Sequence, residues 1–495
     1  MQPNLSDQYA SLPDAFYARV DPTPVAQPRV IALNSALAKS LGIDLDWLHS
    51  ADGLAVLSGK KVLPDSQPIA QAYAAHQFGN WVPQLGDGRA HLLGEIETPD
   101  GRIRDLQLKG SGRTPYSRGG DGRSSIGPAV REYLATEAMA ALGIPTTRAL
   151  AVISSGEDVM RERPEPGGIM CRVAASHVRI GTFEYFARNG HGEHVQTLAD
   201  FAIQRHDQDL ADHSQRYFKL FDRVAKRTTD LVAHWMSVGF VHGVMNTDNM
   251  AVSGETLDYG PFGFLDTFAP DTAFSYIDRR GRYAWSRQPT IAHWNLARLA
   301  ECLLPLIDSD PNQAIEIANE RLNQIPQDFE QAFHARLCRK IGLDPGQDAA
   351  QLALDLLDRM AAGEADMTLT FRALGHLDLD PDNSNLNNGD LNARQHFNEP
   401  ESFDQWAANW RSALNAVKGN HAERQRSMQA TNPAFILRNH LAQRAADAAV
   451  NDLDFQPLHD MLKVFAKPFQ NQPEHSAYQQ PPRPGEVVAN TFCGT

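Results

Sequence analysis

The sequence has 495 residues, 42% of them hydrophobic and 21% charged, which is ordinary for a globular protein and long enough for two lobes or several domains. A formal net charge of −14 argues against general nucleic-acid binding, which requires a basic face. No apolar run approaches the roughly 18 residues of a membrane-spanning helix, so we expect no membrane association.

The first half of the chain is predicted to contain a helical extension and a small β-rich unit. Residues 1–80 carry short helical patterns at Ser35–Ile43 and Pro68–Phe78. Within residues 81–177, three short strands with Gly-containing turns precede a helix that begins near Ser125 and a further strand, RALAVISS.

The rest of the chain is predicted to be mainly helical over residues 178–480. Phe218–Val238 is a long amphipathic pattern, and further helices are expected at 293–306, 351–362 and 434–450. A tail at 481–495 is proline-rich and is expected to lack regular structure. We therefore predict an α+β fold with the bilobal arrangement of protein kinases, a small β-rich lobe followed by a larger helical lobe.

The cysteines and the N-terminus indicate the compartment. No pair of cysteines has C-x-x-C spacing, which excludes a zinc knuckle or a disulfide scaffold and favours a reducing environment. The four are Cys171, Cys302, Cys338 and Cys493. The N-terminus has neither a secretory nor a transit-peptide pattern, so a cytoplasmic location is expected.

A glycine turn and a lysine–glutamate pair suggest nucleotide binding. Gly86, Gly88 and Arg89 lie between two predicted strands, where backbone amides can approach phosphates, although a plain hairpin turn has the same sequence. Lys109 ends a strand, and Glu132 follows 23 residues later on a helix, as in the pair that positions phosphates in kinases. A solvent-facing lysine is the alternative for Lys109. Glu137 competes with Glu132, since only one of the two can point inward.

The stretch from Lys109 to Arg131 combines five basic residues and one acid with a group of five glycines at positions 110, 112, 119, 120 and 122. The acid is Asp121, and Gly122 follows it. Such a loop before a helix lets backbone amides and arginines converge on an anion, which predicts polyphosphate binding rather than an ordinary solvated loop. Arg172 and Arg179 can clamp phosphates if the fold brings them to the cleft; otherwise they form a surface pair.

The segment FVHGVMNTDNMAVSGETLDYGPFGFLD resembles a kinase catalytic loop. His242 and Asn249 have the spacing of H-R-D-x-x-x-x-N, and the D-Y-G that starts at Asp258 stands where kinases have D-F-G. Asn249 and Asp258 offer the oxygen ligands that magnesium prefers.

The catalytic aspartate of that loop is missing, because Val244 stands two residues after the histidine. Asp248, four residues further on, is the candidate base, although N-x-D-N at 246–249 also suits a simple polar turn. Asp266 is a second candidate metal ligand and ranks below Asp258.

Three motifs together resemble the selenoprotein O family over nearly the whole chain: LKGSGRTPYSRGGDGRSSIGPAVREYL, HGVMNTDNM and LDYGPFGFLD. The resemblance implies a kinase-like fold and protein adenylylation, in which AMP moves from ATP to Ser, Thr or Tyr hydroxyls of target proteins and pyrophosphate leaves. It also implies that ATP lies inverted relative to its orientation in kinases.

The resemblance assigns a role to each candidate residue. Gly86, Gly88 and Arg89 match the nucleotide loop, and Lys109 with Glu132 match the strand–helix pair. Nucleotide contacts specific to the family match Asp121, Gly122, Arg172 and Arg179. Asp248 matches the proton acceptor, and Asn249 and Asp258 match the ligands of Mg²⁺ or Mn²⁺.

One feature departs from the family pattern, and two other functions stay open. Some members pair a C-terminal cysteine or selenocysteine with a cysteine after D-Y-G, but residues 261–290 contain none, so Cys493 lacks that partner.

A small-molecule phosphotransferase is one alternative function, since His242-Gly243 matches the H-G-D loop of aminoglycoside-type kinases. An inactive ATP-binding scaffold is the other. Sequence leaves uridylyl transfer from UTP and the oligomeric state open.

Overall fold

The computed structural model describes residues 2–377, 388–417 and 420–492, so Cys493 lies outside the described residues. Within these ranges the chain forms twelve strands and sixteen α-helices. None of the helices in the described ranges is both long enough and apolar enough to cross a membrane.

The strands, in chain order, are β1 Tyr17–Arg19, β2 Arg29–Leu33, β3 Ile69–Gln71, β4 Ala75–Gln77, β5 Asn80–Val82, β6 Ala90–Glu97, β7 Ile103–Lys109, β8 Ser124–Ser125, β9 Arg148–Met160, β10 Pro164–Ala174, β11 Phe240–Val241 and β12 Gly263–Phe264. The helices are α1 Ser35–Ser40, α2 Leu45–Leu48, α3 Ala51–Leu57, α4 Ile126–Ala141, α5 Ile180–Arg188, α6 Gly192–His206, α7 Arg216–Ser237, α8 Gln288–Ile307, α9 Pro311–Lys340, α10 Gln347–Ala362, α11 Met367–Leu374, α12 Asn388–Arg394, α13 Pro400–Ala416, α14 His421–Thr431, α15 Asn439–Asp452 and α16 Gln456–Phe465.

An antiparallel sheet organises the first 174 residues. Its strand order is β1-β3-β6-β7-β10-β9-β2, and β8 pairs with β10. The helix predicted at Pro68–Phe78 is wrong, because β3 and β4 occupy that segment. β3 pairs with β1 and β6, and this pairing outweighs the helical propensity of the alanine-rich sequence. Residues 1–80 therefore supply both edges of the sheet as well as short helices.

The two faces of the sheet are covered by different elements. Helices α1–α3 pack on one face, against alternate residues such as Leu106 and Leu108 of β7. Helix α4 packs on the other face, against β9 and β10. Lys109 on β7 and Arg172 on β10 point to the α4 side, because they have the opposite parity to the buried apolar residues of their strands.

The helices predicted in the second half of the chain are confirmed within a few residues. Helix α7 is the long amphipathic helix, and it packs against α8 and α9. Helix α4 is also confirmed; Ser125 holds its N-cap position without a capping hydrogen bond, and Pro128 lies in its first turn. The chain is thus a mixed α/β protein with one main sheet and many helices.

Candidate active site

A cleft of about 1080 Å³ lies between the α4 side of the sheet and the loop that follows α7. All twelve residues to which the family resemblance assigns a role line it. They are Gly86, Gly88, Arg89, Lys109, Asp121, Gly122, Glu132, Arg172, Arg179, Asp248, Asn249 and Asp258. This volume slightly exceeds the roughly 300–1,000 Å³ of typical small-molecule and cofactor sites, so the cleft has room for a nucleotide.

Asp258 is the centre of a charged network on the floor of the cleft. Its Oδ1 accepts hydrogen bonds from Lys109 Nζ at 2.7 Å and from Arg172 Nη2 at 2.6 Å. Its Oδ2 lies 3.3 Å from Arg179 Nη1. Glu132 joins the network, 2.6 Å from both Lys109 Nζ and Arg172 Nη2. Three cations and two carboxylates therefore share one small volume.

The cations determine the protonation state of both carboxylates. Burial by itself raises the pKa of Asp258, but the charges of Arg172, Lys109 and Arg179 outweigh burial and hold that pKa well below its ordinary value. Burial likewise raises the pKa of Glu132, whereas Lys109 and Arg172 lower it, with a net decrease. Both groups are carboxylates at neutral pH.

The predicted contact between Lys109 and Glu132 is present, and the competing glutamate is engaged elsewhere. Glu137 accepts hydrogen bonds from Arg148 Nη2 at 2.6 Å and from Asn34 Nδ2 at 2.7 Å, on another side of α4. The two glutamates point in different directions because a separation of five residues turns about 140° around a helix.

Arg179 links the floor of the cleft to the loop after α7. It is 2% exposed, donates to the backbone oxygen of Asp248 at 2.8 Å, and stacks its guanidinium 4.4 Å from the ring centre of Tyr73. Asp87 lies 3.6 Å away from it. Asp87 is buried and also accepts from Gln107 Nε2 at 3.2 Å, so it ties the glycine turn to the sheet.

Sequence reasoning missed Asp87, although an acid between two glycines was a signal for it. A solvent-facing acid is the common case in a D-G turn, and only the sheet contact distinguishes this one. Strand β10 was also missed. Its residues Ile169, Cys171 and Val173 alternate with Arg172, which was a usable signal for a strand with one polar face.

The aspartate predicted to act as the base has a different environment from Asp258. Asp248 is 9% exposed; its Oδ2 accepts from Gln77 Nε2 at 3.3 Å, and its Oδ1 has no hydrogen-bond partner in the described residues. Burial raises its pKa to about 6, partly offset by Arg179. Val244, at the position of the usual kinase aspartate, is buried and apolar.

The glycine- and arginine-rich stretch forms a tight backbone loop at the side of the cleft. Gly122 has φ +68°, and a Cβ on it would lie 2.1 Å from the Gly112 carbonyl oxygen, so only glycine fits. Asp121 accepts from Arg161 Nη1 at 2.9 Å and from the Arg123 amide at 2.9 Å. That ion pair holds the rim of the loop.

The donor set of this cleft fits a hard divalent cation. Asn249 donates its amide nitrogen to the Val244 carbonyl at 2.9 Å, which leaves the amide oxygen as an acceptor. The Oδ2 of Asp258 has only the longer contact to Arg179, at 3.3 Å. These are oxygen atoms, which Mg²⁺ and Mn²⁺ prefer.

Two other residues of the segment Phe240–Asp266, His242 and Asp266, contact protein groups outside the charged network of the cleft. His242 is 1% exposed, and its Nε2 lies 3.0 Å from the Leu257 carbonyl oxygen. Asp266 forms an ion pair with Arg438, which also binds Asp366, and it does not line the cleft.

The chain is similar to known proteins of one family. A family model described as protein adenylyltransferase SelO matches residues 1–466. A protein nucleotidyltransferase YdiU from Alkalilimnicola ehrlichii is 54% identical over 491 residues, 99% of this chain and 98% of the relative. Proteins of the same name from Rhodopseudomonas palustris and Methylorubrum extorquens are 51% and 52% identical, each over 99% of this chain and 98% of the relative.

Proposed function

The chain belongs to the SelO family of protein adenylyltransferases, and from that premise we propose how it acts on its substrates. It is a protein nucleotidyltransferase. We propose that ATP is the nucleotide, that AMP passes to a Ser, Thr or Tyr hydroxyl of a target protein, and that pyrophosphate is released.

The observation that carries this proposal is the convergence of three cations on one carboxylate at the floor of the cleft. Lys109, Arg172 and Arg179 lie within 3.3 Å of Asp258 and beside a loop rich in backbone amides. Such a floor suits the β- and γ-phosphates, which carry most of the charge of ATP. If these phosphates lie deep, the α-phosphorus faces the opening, where an acceptor hydroxyl can reach it.

Asp248 is proposed to take the proton of the acceptor hydroxyl. Its raised pKa of about 6 is close to the working pH, and its Oδ1 is free to accept a proton at that atom. Arg179 holds the backbone of Asp248 through the 2.8 Å bond, so the base and the phosphate-binding floor keep a fixed separation. The apolar Val244 leaves no carboxylate at the position from which kinases serve the γ-phosphate.

The proposal also includes a divalent metal ion and a two-lobed fold. Asn249 and Asp258 would hold Mg²⁺ or Mn²⁺, which would neutralise charge developing on the leaving pyrophosphate. We also propose a kinase-like bilobal arrangement, in which residues 81–177 belong to the small lobe and 178–480 form the large one. A cytoplasmic location stays a prediction from the sequence.

Labelled ATP tests the reaction. The protein is incubated with Mg²⁺, a mixture of acceptor proteins and ATP labelled on either the α- or the γ-phosphate, and the label in protein is measured. We expect label from the α-position alone. Transfer from the γ-position alone would indicate a phosphotransferase, and transfer from neither would indicate a scaffold; either result would overturn the proposal. Competition with unlabelled UTP measures the nucleotide preference.

A further inference from the structure

Large apolar side chains are exposed at the mouth of the cleft. The described residues expose ten large hydrophobic side chains, and three of them line this one cleft: Met160, Ile277 and Phe492. A fourth, Tyr276, lies with its ring centre 5.0 Å from that of Phe492. Ile277 is 63% exposed and Phe492 65%. Clustered exposed apolar groups at a functional opening mark a contact surface, whereas scattered ones need no explanation.

Tyr276, Ile277 and Phe492 form a structured edge, here called the lip. The Asp278 amide donates to the Ser275 carbonyl at 3.0 Å, so Tyr276 and Ile277 are the two central residues of a turn. Turns ordinarily place glycine, proline or small polar residues there, and two exposed apolar residues at that tip are unusual.

The lip is held in place by its own hydrogen bonds. The Thr491 amide donates to the Phe274 carbonyl at 2.7 Å, and the Tyr276 amide donates to the Thr491 carbonyl at 3.2 Å. Asp278 accepts from the Arg282 and Tyr283 amides at 2.8 Å each. The apolar tip is therefore presented on an ordered backbone, which lowers the entropy lost when a partner binds.

The charge beside the lip is positive, although the protein as a whole is acidic. Arg279 and Arg280 are exposed and follow the apolar tip after one residue, Asp278. Within the described ranges, neither side chain forms a salt bridge. The neighbouring Asp278 is buried and is occupied by backbone amides. The lip thus offers an apolar contact at the cleft and, beside it in the chain, two exposed cations that form no salt bridge within the described residues.

From this combination we infer that the lip binds the acceptor protein, and that it selects hydroxyls flanked by an apolar residue and acidic residues. The inference rests on the proposed transfer of AMP to protein hydroxyls. Apolar side chains of the acceptor would pack on Ile277 and Phe492, and its carboxylates would face Arg279 and Arg280. Because Ile277 and Phe492 line the same cleft as Asp248, an acceptor held there brings its hydroxyl to the reacting phosphate.

Two synthetic peptides test this selection. Both carry the same Ser-Thr-Tyr acceptor block, flanked in one by leucine and glutamates and in the other by serine and lysines. With α-labelled ATP and subsaturating peptide, we expect labelling of the acidic, apolar peptide to be faster by about tenfold or more. Equal labelling of the two would overturn the inference and leave the proposed function standing. Absence of α-label from both peptides and from a mixture of denatured proteins would overturn both.

Matched variants test whether the lip and its two arginines cause the peptide preference. Arg279→Glu combined with Arg280→Glu should reverse the preference towards the basic peptide, with the KM for ATP unchanged, because only the acceptor contact changes. Ile277→Asp should raise the KM for the acidic peptide by about tenfold, whereas Ile315→Asp, an exposed isoleucine on α9 away from the cleft, should not. An unchanged preference in the arginine variant would overturn the inference. If that variant also sediments as a smaller species than the wild type, the lip binds a second copy of the chain instead.

Discussion

For single residues, the main finding is that the two aspartates of the cleft have different electrostatic surroundings and therefore different pKa values. Asp258 is surrounded by Lys109, Arg172 and Arg179 and stays ionised, whereas Asp248 is buried with one oxygen unpartnered in the described residues and has a pKa of about 6. A permanently charged carboxylate suits a structural or ligand role, and one that titrates near neutrality suits proton transfer. Two carboxylates in one loop region can therefore serve different steps.

Replacing Asp258 with alanine should abolish transfer. The change leaves the three cations with Glu132 and the more distant Asp87 as neighbouring carboxylates and removes an oxygen that would hold the metal, so we expect the rate to fall by at least about 100-fold. Incorporation of α-labelled AMP into protein measures it. Asp65→Ala, at an exposed position away from the cleft, is the control. A rate for Asp258→Ala equal to that of the wild type would show that the assignment is wrong.

The rate of transfer should depend on pH through Asp248. The base is active only when deprotonated, so kcat/KM should fall by about tenfold per pH unit below pH 6 and level off above pH 7. Gln77→Ala removes a hydrogen bond that lowers the pKa of Asp248, so the fall in kcat/KM should begin at a higher pH in that variant. A flat profile between pH 5 and 8 would contradict the role of Asp248.

The Asp248 carboxylate should also lower the free energy of unfolding of the protein at neutral pH. Burial raises the pKa of Asp248 above its unfolded value, so the folded state binds the proton more tightly and loses stability as pH rises through about 6. Asp248→Asn should therefore be more stable than the wild type at pH 7, by on the order of 1–3 kcal/mol, with little difference at pH 4. Melting temperatures at the two pH values measure this. Equal melting temperatures at pH 7 would show that the carboxylate is solvated.

At the scale of elements, the loop before α4 depends on one close backbone approach. Gly122 and Gly119 both have positive φ, but only Gly122 has another backbone where a Cβ would lie. Gly119→Ala carries the left-handed backbone strain alone, which is about 1–2 kcal/mol. The two positions therefore separate strain from steric overlap within one loop.

Gly122→Ala should weaken ATP binding much more than Gly119→Ala. The added methyl group must displace residues 112–113, which shifts the amides that line the cleft, so we expect the KM for ATP to rise by about tenfold or more. Gly119→Ala should change it by less than about threefold. Both KM values come from the α-label assay with far-UV circular dichroism as a check of folding. Equal effects of the two substitutions would show that the loop tolerates the displacement.

For the fold taken together, the sequence predicted the residues of the site better than it predicted the strands of the sheet that supports them. The spacing of Lys109 and Glu132 was informative because both lie on regular elements whose geometry fixes direction, and the structure has them 2.6 Å apart. The strand β3 was not predictable, because its conformation depends on pairing with β1 and β6 rather than on its own residues. Asp87 was equally hidden, since its partners Gln107 and Arg179 lie far along the chain.

A chain that begins at residue 81 should not fold. It lacks β1, β2 and β3, which leaves β6 and β9 as unpaired edges and uncovers the face packed by α1–α3. Exposed edges of this kind promote aggregation. Soluble expression and cooperative melting measure the outcome, with a chain that ends at residue 480 as the control. A soluble 81–495 fragment that melts like the full chain would show that residues 1–80 are a separate extension.

The strand order also constrains synthesis on the ribosome. The edge strand Arg29–Leu33 pairs with Ala151–Ser154, so it waits for more than one hundred further residues to emerge before its ladder can form. Such non-local pairing slows folding because a long loop must close first. Until then the apolar residues of the nascent N-terminal segment have no sheet to cover, and limited proteolysis of stalled chains should cut this segment until about residue 160 has left the exit tunnel.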